Sequence, residues 1–149
     1  MENSNITNVG KKRPTFIFIL AGIALGLILK FFVVDLLHVS GSSMEPAIED
    51  GEIVAVNKLC YGLVEPFGDR LIFKWGRVKR GDVIIYMYDD NLVVKRCAAT
   101  ENTPLEYSSD SGYNIIVEGK IYPLTPAQFS VMQDIHSVPE GMLLAIGDN

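Results

Sequence analysis

The sequence predicts a mainly β fold, an antiparallel β domain carried on a single amino-terminal transmembrane helix. Two observations lead to this prediction. One apolar run near the amino terminus is long enough to cross a bilayer, and short β-rich runs separated by turn residues follow it. The chain has 149 residues, so a short tail and one membrane segment leave a single domain.

The apolar run extends from residue 15 to residue 34, and only Lys30 interrupts it, near the far end, where its ammonium group can reach the interface. Three basic residues at 11–13 precede the run and orient the amino terminus toward the cytoplasm. We therefore predict a cytoplasmic basic tail over 1–14, an uncleaved anchor over 15–34 and an extracytoplasmic catalytic β domain over 35–149. A cleaved signal peptide is the alternative, but the run is long for one and no small-x-small site follows it.

Charge and cysteine content exclude several classes of function. The net charge is −5, and because residues 1–14 contribute +2, the remainder carries −7, which argues against nucleic acid as a partner. The spacing of Cys60, Cys97 and the two histidines fits no zinc pattern, so no metal and no other cofactor is predicted. A Cys60–Cys97 disulfide stays open for a domain outside the cytoplasm, and the alternative is that Cys97 is a small buried apolar residue.

Strands are predicted where β-branched and aromatic residues cluster between turn residues. The predicted strands are Glu52–Lys58, Val83–Tyr88, Leu92–Cys97, Asn114–Val117, Lys120–Tyr122 and Met142–Ile146. Asp89 to Asn91 and Glu118-Gly119 read as the turns of two hairpins. A short helix is predicted within 125–135, because Thr125 resembles a cap followed by proline, and 100–112 is predicted to be a polar loop.

The segment from Val64 to Arg80 mixes apolar and aromatic residues with cations. These are Phe67, Leu71, Ile72, Phe73 and Trp75 with Arg70, Lys74, Arg77 and Lys79. The mixture suits a membrane interface, where rings lie at headgroup depth and cations meet lipid phosphates. A loop that packs its aromatic side chains on the core is the alternative.

A candidate nucleophile lies just after the anchor, in the stretch Gly41–Ile48. Ser43 stands on a short turn, and Pro46 blocks regular structure and stiffens that turn. A serine hydroxyl is a weak nucleophile at neutral pH and needs a neighbouring base.

Lys95 is the best candidate for that base. It lies inside an apolar strand, on the same face as Val93 and Cys97, and lysine is rare in such a position. Burial of that face would lower the lysine pKa from about 10.4, so that a neutral amine could accept the hydroxyl proton. His38 or His136 as the base, and an edge-strand lysine facing water, remain alternatives.

Several short motifs occur together in a distinctive order. They are Ser43-Met44-Glu45-Pro46, Arg80-Gly81-Asp82-Val83, Val94-Lys95-Arg96 and Pro139-Glu140-Gly141 leading into Gly147-Asp148-Asn149, with Asn57 to Pro66 after the serine motif. Each motif alone is weak. In this order, behind an amino-terminal anchor, the chain from about Lys11 to Asn149 resembles the bacterial type I signal peptidases.

The resemblance implies a membrane-bound serine endopeptidase with a β domain of signal-peptidase type. It implies Ser43 as nucleophile, Lys95 as general base and the Ser43 backbone N–H as an oxyanion donor. The implied partners are signal peptides of preproteins and the phospholipid membrane, with the secretion translocon as a further candidate. The implied location is the bacterial inner membrane, with the catalytic domain facing the periplasm. The residues that match the family's small-residue pockets are Val39, Met44, Ile48, Val93 and Val94.

The chain departs from the family pattern at three places, and one of them is Cys97-Ala98-Ala99-Thr100, where the family usually has a glycine-rich turn after the lysine. Gly41 stands where many Gram-negative members have a serine that serves the oxyanion hole, so either Ser42 substitutes or backbone donors and water serve instead. Asp148 is expected to pair with Arg96, but the family continues past Asn149 with residues that buttress the lysine. We expect a truncated product or fragment, a chain completed by another subunit, or a degenerate member with weak activity.

Two further functions are therefore weighed against signal peptide removal. One is a non-catalytic, membrane-anchored binding or scaffold protein that retains the fold. The other is a dedicated Ser/Lys processing enzyme, such as a conjugation-pilus maturation peptidase. A self-cleaving repressor is disfavoured, because its amino terminus should bind DNA and here it is predicted to span lipid.

Overall fold

The computed structural model describes residues 15–65, 71–110 and 112–149. The predicted basic tail, together with Phe67 and Arg70, lies outside the described residues. Helix α1, Thr15–Phe32, buries no residue within the chain, and its mean hydropathy of 2.4 over 18 residues makes it apolar enough to cross a membrane. The helix ends two residues before the predicted end of the anchor, and Val34 begins the first strand.

The rest of the described chain is mainly β, and every pair of named strands is antiparallel, which confirms the predicted fold class. The strands are β1 (Val34–His38), β2 (Ile53–Asn57), β3 (Gly62–Val64), β4 (Leu71–Lys74), β5 (Val83–Tyr88), β6 (Asn91–Thr100), β7 (Glu106–Ser108), β8 (Asn114–Val117), β9 (Lys120–Pro123) and β10 (Leu143–Ile146). β1 pairs with β2 and β3 with β4, while the three-stranded sheets have the orders β10-β6-β5 and β7-β8-β9.

The hairpin β5–β6 forms as predicted, with a shorter turn than expected. Asn91 pairs with Tyr88 and belongs to β6, so the turn is Asp89-Asp90, with φ of 50° and 58°. Positive φ at both central residues gives the twist that matches two antiparallel strands, and Asp tolerates it better than most residues. β6 is the longest strand, and it extends from the candidate nucleophile to the apolar core.

Two parts of the prediction were wrong. The predicted polar loop over 100–112 contains β7, which pairs with β8. β1 was not predicted, because its residues continue the apolar run of the anchor. Within the segment from Val64 to Arg80, β4 pairs with β3, and all four residues of β4 are exposed. Of the two interpretations of this segment, packing on the core is therefore excluded for β4.

The main apolar core lies between the sheet β7-β8-β9, the end of β6 and helix α2 (Pro126–Met132). Its buried members are Ala99, Leu105, Ile115, Val117 and Val138. Helix α2 begins with the predicted cap, since Thr125 and Gln128 form a reciprocal capping box. The thiol of Cys97 is buried and that of Cys60 is exposed, and both are free.

Candidate active site

Ser43 lies on the turn that follows β1, and its neighbours fix the shape of that turn. Gly41 has a φ of +99°, a conformation that favours glycine, and its N–H donates to the Asp50 carboxylate at 2.7 Å. The side chain of Met44 is only 1% exposed, and its burial holds the turn against the β domain. The Ile48 N–H donates to the Met44 carbonyl, which closes the turn on its far side.

Lys95 reaches Ser43 across the sheet. Its Nζ donates a hydrogen bond to the Ser43 Oγ at 2.7 Å, although 52 residues separate the two. Lys95 is half-buried and lies opposite Ile84, which is buried in β5, so the strand that carries the amine is held from its flank. A serine hydroxyl in contact with an amine is the arrangement that nucleophilic catalysis requires.

Arg96, the residue after Lys95, binds Asp148 through two parallel hydrogen bonds. Its Nε and Nη2 donate to the two carboxylate oxygens at 2.7 and 2.6 Å, and its Nη1 donates to the Gly81 carbonyl at 2.8 Å. The hydrogen bonds from Arg96 hold the pKa of Asp148 below its usual value, and those to Asp148 raise the pKa of Arg96. The pair fixes the segment after β10 against β6.

Gly147 makes the closest approach to the two reacting groups. A β-carbon added at Gly147 would overlap the Ser43 carbonyl oxygen and would lie 3.3 Å from the Lys95 Nζ. Asn149 completes the contact, since its backbone N–H donates to the Ser43 carbonyl at 3.2 Å and its side-chain amide to the Ser42 carbonyl at 3.3 Å. In the sequence, Gly147 and Asn149 stand out only as parts of a motif, and no pattern there predicts these contacts.

An open cavity of about 220 Å³ lies beside Ser43. Four of the five predicted pocket residues line it, namely Val39, Met44, Val93 and Val94, whereas Ile48 lies outside it. The other lining residues, which were not predicted, are Leu37, His38, Ser40 and Leu92. Two of these residues could have been predicted as pocket residues from the sequence. Leu37 lies two positions before Val39, on the same face of an extended chain, and Leu92 directly precedes Val93 and Val94 in β6.

The remaining candidates lie as follows. His38 borders the cavity, whereas the backbone carbonyl of His136 accepts a hydrogen bond from Leu105, in the part of the chain that holds the core. Burial raises the pKa of the Cys97 thiol, whose Sγ donates to the Ala99 carbonyl. Within 15–65, 71–110 and 112–149, no three His, Cys, Asp or Glu side chains are arranged to hold a metal ion.

Comparison with known proteins gives one consistent result. The profile of the family described as "Signal peptidase, peptidase S26" matches residues 11–149. The chain is similar to "Signal peptidase I" of Pseudomonas fluorescens, with 32% identity over 56% of this chain and 31% of the relative. It is also similar to "Signal peptidase I" of Pseudomonas aeruginosa (29% identity, 64% and 34% covered) and "Signal peptidase IB" of Staphylococcus aureus (32% identity, 60% and 39% covered). The chain thus matches roughly a third of the length of these curated relatives.

Proposed function

The chain belongs to the signal peptidase family, peptidase S26, and we propose that it is a membrane-anchored serine endopeptidase that removes signal peptides from exported preproteins. Ser43 is the nucleophile and Lys95 the general base. The observation that carries this proposal is the 2.7 Å contact between the Lys95 amine and the Ser43 hydroxyl. No contact of this kind joins either histidine to Ser43 among the described residues.

The reaction follows from the chemistry of the two groups. The neutral amine of Lys95 accepts the hydroxyl proton while the Ser43 Oγ bonds to the scissile carbonyl carbon. The backbone N–H of Ser43 donates to the developing oxyanion. The ammonium of Lys95 then gives its proton to the leaving amine as the C–N bond breaks. In the second half of the reaction, Lys95 accepts a proton from water while the water oxygen bonds to the ester carbonyl carbon, and the C–Oγ bond then breaks as Lys95 returns the proton to the Ser43 Oγ.

Gly147 and the Arg96–Asp148 pair act as supports in this scheme. Because Gly147 lacks a side chain, the Ser43 carbonyl and the Lys95 amine can approach the same backbone segment. Because Arg96 directly follows Lys95, its paired hydrogen bonds limit the movement of the strand that carries the base. Precise placement matters here, since a misplacement of about 1 Å can cost roughly 100-fold in rate.

The cavity beside Ser43 suits an extended peptide with small apolar side chains. β1 pairs only with β2 among the described strands, and the Leu92–Val94 part of β6 pairs only with β5, so each keeps one free edge beside the cavity. A peptide strand can add to such an edge through its backbone. Val39, Met44 and Val94 then favour alanine-like residues before the cut and reject large or polar ones by size and desolvation.

The membrane supplies the second part of the proposal. At about 1.5 Å per residue, the 18 residues of α1 span roughly 27 Å, close to the thickness of the bilayer core. With the basic residues at 11–13 in the cytoplasm, the β domain faces the periplasm across the inner membrane. This arrangement brings Ser43 near the lipid surface, where an inserted signal peptide ends. The secretion translocon, which delivers preproteins there, is a candidate partner.

The test compares matched variants on a preprotein whose signal peptide ends in Ala-x-Ala. Ser43→Ala and Lys95→Met, which keeps the apolar stem, should each lower cleavage by about 10⁴-fold or more. His136→Ala should cleave like the unmodified chain. If the unmodified chain cleaves no faster than Ser43→Ala, the endopeptidase is refuted and a binding role stands. Cleavage that survives in Lys95→Met and is lost in His136→Ala would assign the base to histidine.

A further inference from the structure

The segment 80–82 lies directly before β5 and contacts β6 just beyond the catalytic lysine. The Gly81 N–H donates to the Cys97 carbonyl at 2.8 Å, and the Cys97 N–H donates to the Asp82 carbonyl at 2.9 Å. The Gly81 carbonyl also accepts the hydrogen bond from the Arg96 Nη1 at 2.8 Å. Both residues that follow the catalytic lysine in β6 are therefore bonded to this segment.

Asp82 sets the point at which β5 begins to pair with β6. The ladder continues from the bond between Asp82 and Cys97 to Ile84, which lies opposite Lys95. Because successive side chains of a strand point to opposite faces, a slip of one residue in this ladder would turn Lys95 away from Ser43. A displacement of Asp82 therefore displaces Lys95, since the two lie close together in the same ladder.

The side chain of Asp82 is itself held by two hydrogen bonds. Its Oδ2 accepts from the Tyr61 hydroxyl at 2.8 Å and from the Lys79 N–H at 2.8 Å. The bond from the Lys79 N–H, followed by that from Tyr61, lowers the pKa of Asp82. Burial, followed by the bond to the carboxylate, raises the pKa of Tyr61. Near neutral pH the phenol is therefore protonated and donates, and the carboxylate is ionised and accepts.

The backbone of Tyr61 is fixed by the strand that follows it in space. Its carbonyl accepts from the Trp75 N–H at 3.1 Å and from the Gly76 N–H at 3.0 Å. A β-carbon added at Gly76 would lie 2.8 Å from the Cys60 carbonyl oxygen and 3.0 Å from the Tyr61 Cα, so the two backbones approach closely because residue 76 is glycine. Asp82 is thus bonded to a tyrosine whose own position is well determined.

We propose that Tyr61 and Asp82 act together as positioning residues for Lys95. Their hydrogen bond fixes the start of β5, and the ladder that begins at Asp82 then fixes the strand that carries the amine. The Ser43 hydroxyl is held by other contacts, among them the bond from the Asn149 N–H to the Ser43 carbonyl. The two reacting groups are therefore aligned by different parts of the chain. This inference rests on the proposed role of Lys95 as general base.

The first test removes the hydroxyl of Tyr61 and keeps its ring. In Tyr61→Phe the Lys95 amine is held less firmly beside the Ser43 Oγ, so kcat on the preprotein that ends in Ala-x-Ala should fall about tenfold. KM should stay within about twofold, because neither Tyr61 nor Asp82 lines the cavity.

Tyr107→Phe is the matched control. The hydroxyl of Tyr107 is also half-buried and donates a hydrogen bond, to the Ile135 carbonyl at 3.0 Å, but it lies beside the apolar core. This variant should lose a similar amount of stability in chemical denaturation and keep its kcat. Equal losses of kcat in Tyr61→Phe and Tyr107→Phe would overturn the proposal, because they would reflect a general weakening of the fold.

Two substitutions of Asp82 separate hydrogen bonding from charge. Asp82→Asn removes the charge and keeps an oxygen that can accept from Tyr61, so kcat should stay within about threefold of that of the unmodified chain. Asp82→Ala removes the acceptor and should lower kcat about 100-fold. A loss in Asp82→Asn as large as that in Asp82→Ala would assign the effect to the carboxylate charge and overturn positioning by this bond. The comparison of Tyr61→Phe with Tyr107→Phe decides the matter even if Asp82→Ala does not fold.

Amide hydrogen exchange tests the same contact without cleavage. In detergent micelles the Cys97 N–H, which donates to the Asp82 carbonyl, should exchange about tenfold faster in Tyr61→Phe than in the unmodified chain, and this increase should exceed that in Tyr107→Phe. An unmodified chain that does not cleave refutes the endopeptidase, and the exchange of Cys97 still shows whether Tyr61 holds β6. Unchanged exchange of Cys97 in Tyr61→Phe refutes the positioning role, even when loss of cleavage in Ser43→Ala supports the endopeptidase.

Discussion

The two halves of strand β6 lie in contrasting surroundings. The half that begins at Leu92 borders the open cavity and presents the half-buried Lys95 to Ser43. The half that begins at Cys97 is buried, and Ala99 belongs to the apolar core. A lysine side chain has a long flexible stem, so its amine stays beside a hydroxyl only if the backbone beneath it is fixed. The buried half of β6 supplies that fixed backbone. The second half of the strand therefore stabilises the fold, and the first half carries the reacting amine.

Among the tests of this comparison, we expect the largest effect from a substitution in the apolar core. Ile115 is fully buried in β8, against Ala99 of β6, and Ile115→Ala should lower the free energy of unfolding by about 2–5 kcal/mol. Chemical denaturation followed by circular dichroism measures this loss. The rate per folded molecule should stay within about twofold, because effects at separated sites are close to additive. A large drop in kcat at low temperature, with the chain still folded, would contradict the idea that one half of β6 stabilises the fold and the other half serves catalysis.

The converse experiment changes the site and leaves the core alone. In Gly147→Ala the new methyl group would overlap the Ser43 carbonyl and crowd the Lys95 amine, so kcat/KM should fall by about 100-fold. Gly26→Ala is the matched control, because a β-carbon at Gly26 meets nothing within 4 Å. The midpoint of chemical denaturation should shift little, although kcat/KM falls about 100-fold. A Gly147→Ala chain with normal turnover would show that this close approach is not needed.

The reacting residues were easier to predict from the sequence than the backbone contacts that hold them in place. The Ser43 and Lys95 pair follows from residue chemistry and from motif order, and the Arg96–Asp148 pair is what the resemblance to the family implies. The contact of Gly147 with Ser43 is set by how β10 ends against a turn more than 100 residues away, and no local pattern encodes it. Ile48 was assigned to the pocket, but the turn after Met44 directs the chain away from the cavity.

Strands with a strong β pattern in the sequence were predicted, whereas strands that form only by pairing with another strand were not. Hairpin β5–β6 has two long β-rich runs, so its existence follows from the sequence, but the turn is one residue shorter than predicted and the register is set by the pairing of Tyr88 with Asn91. β1 continues the apolar composition of the anchor, and only its pairing with β2 turns that run into a strand. β7 has three residues and is held as a strand by β8.

A pH experiment distinguishes the ion pair at the site from one elsewhere. Arg96 lowers the pKa of Asp148, so the ionised carboxylate stabilises the fold at pH above its ordinary value of 3.8, and this stability is lost as the pH falls through the lowered pKa. In Asp148→Asn the unfolding free energy should therefore be smaller at neutral pH and should change less in acid. The preprotein cleavage rate should also fall, because Arg96 loses a charged partner.

Asp35→Asn is the control for that experiment. The hydrogen bond from Lys58, at 3.0 Å, lowers the pKa of Asp35, so this variant should show the same acid signature. Because this pair lies by the end of α1 and does not contact Ser43 or Lys95, the cleavage rate should stay near that of the unmodified chain. Equal rate losses in Asp35→Asn and Asp148→Asn would mean that the fold as a whole, and not the site pair, governs the rate.

The smallest effect is expected at the cap of helix α2, at the far side of the core. Thr125 accepts a hydrogen bond from the Gln128 N–H, and Thr125→Ala should lower the free energy of unfolding by about 1 kcal/mol. Ser130→Ala, which removes an exposed hydroxyl from the same helix, should cause no such loss. Cleavage per folded molecule should be unchanged in both, since α2 contacts the core and not the cavity. A rate change in Thr125→Ala that exceeds its stability change would mean that the core transmits small movements along β6 to Lys95, and that the two halves of the strand are not independent.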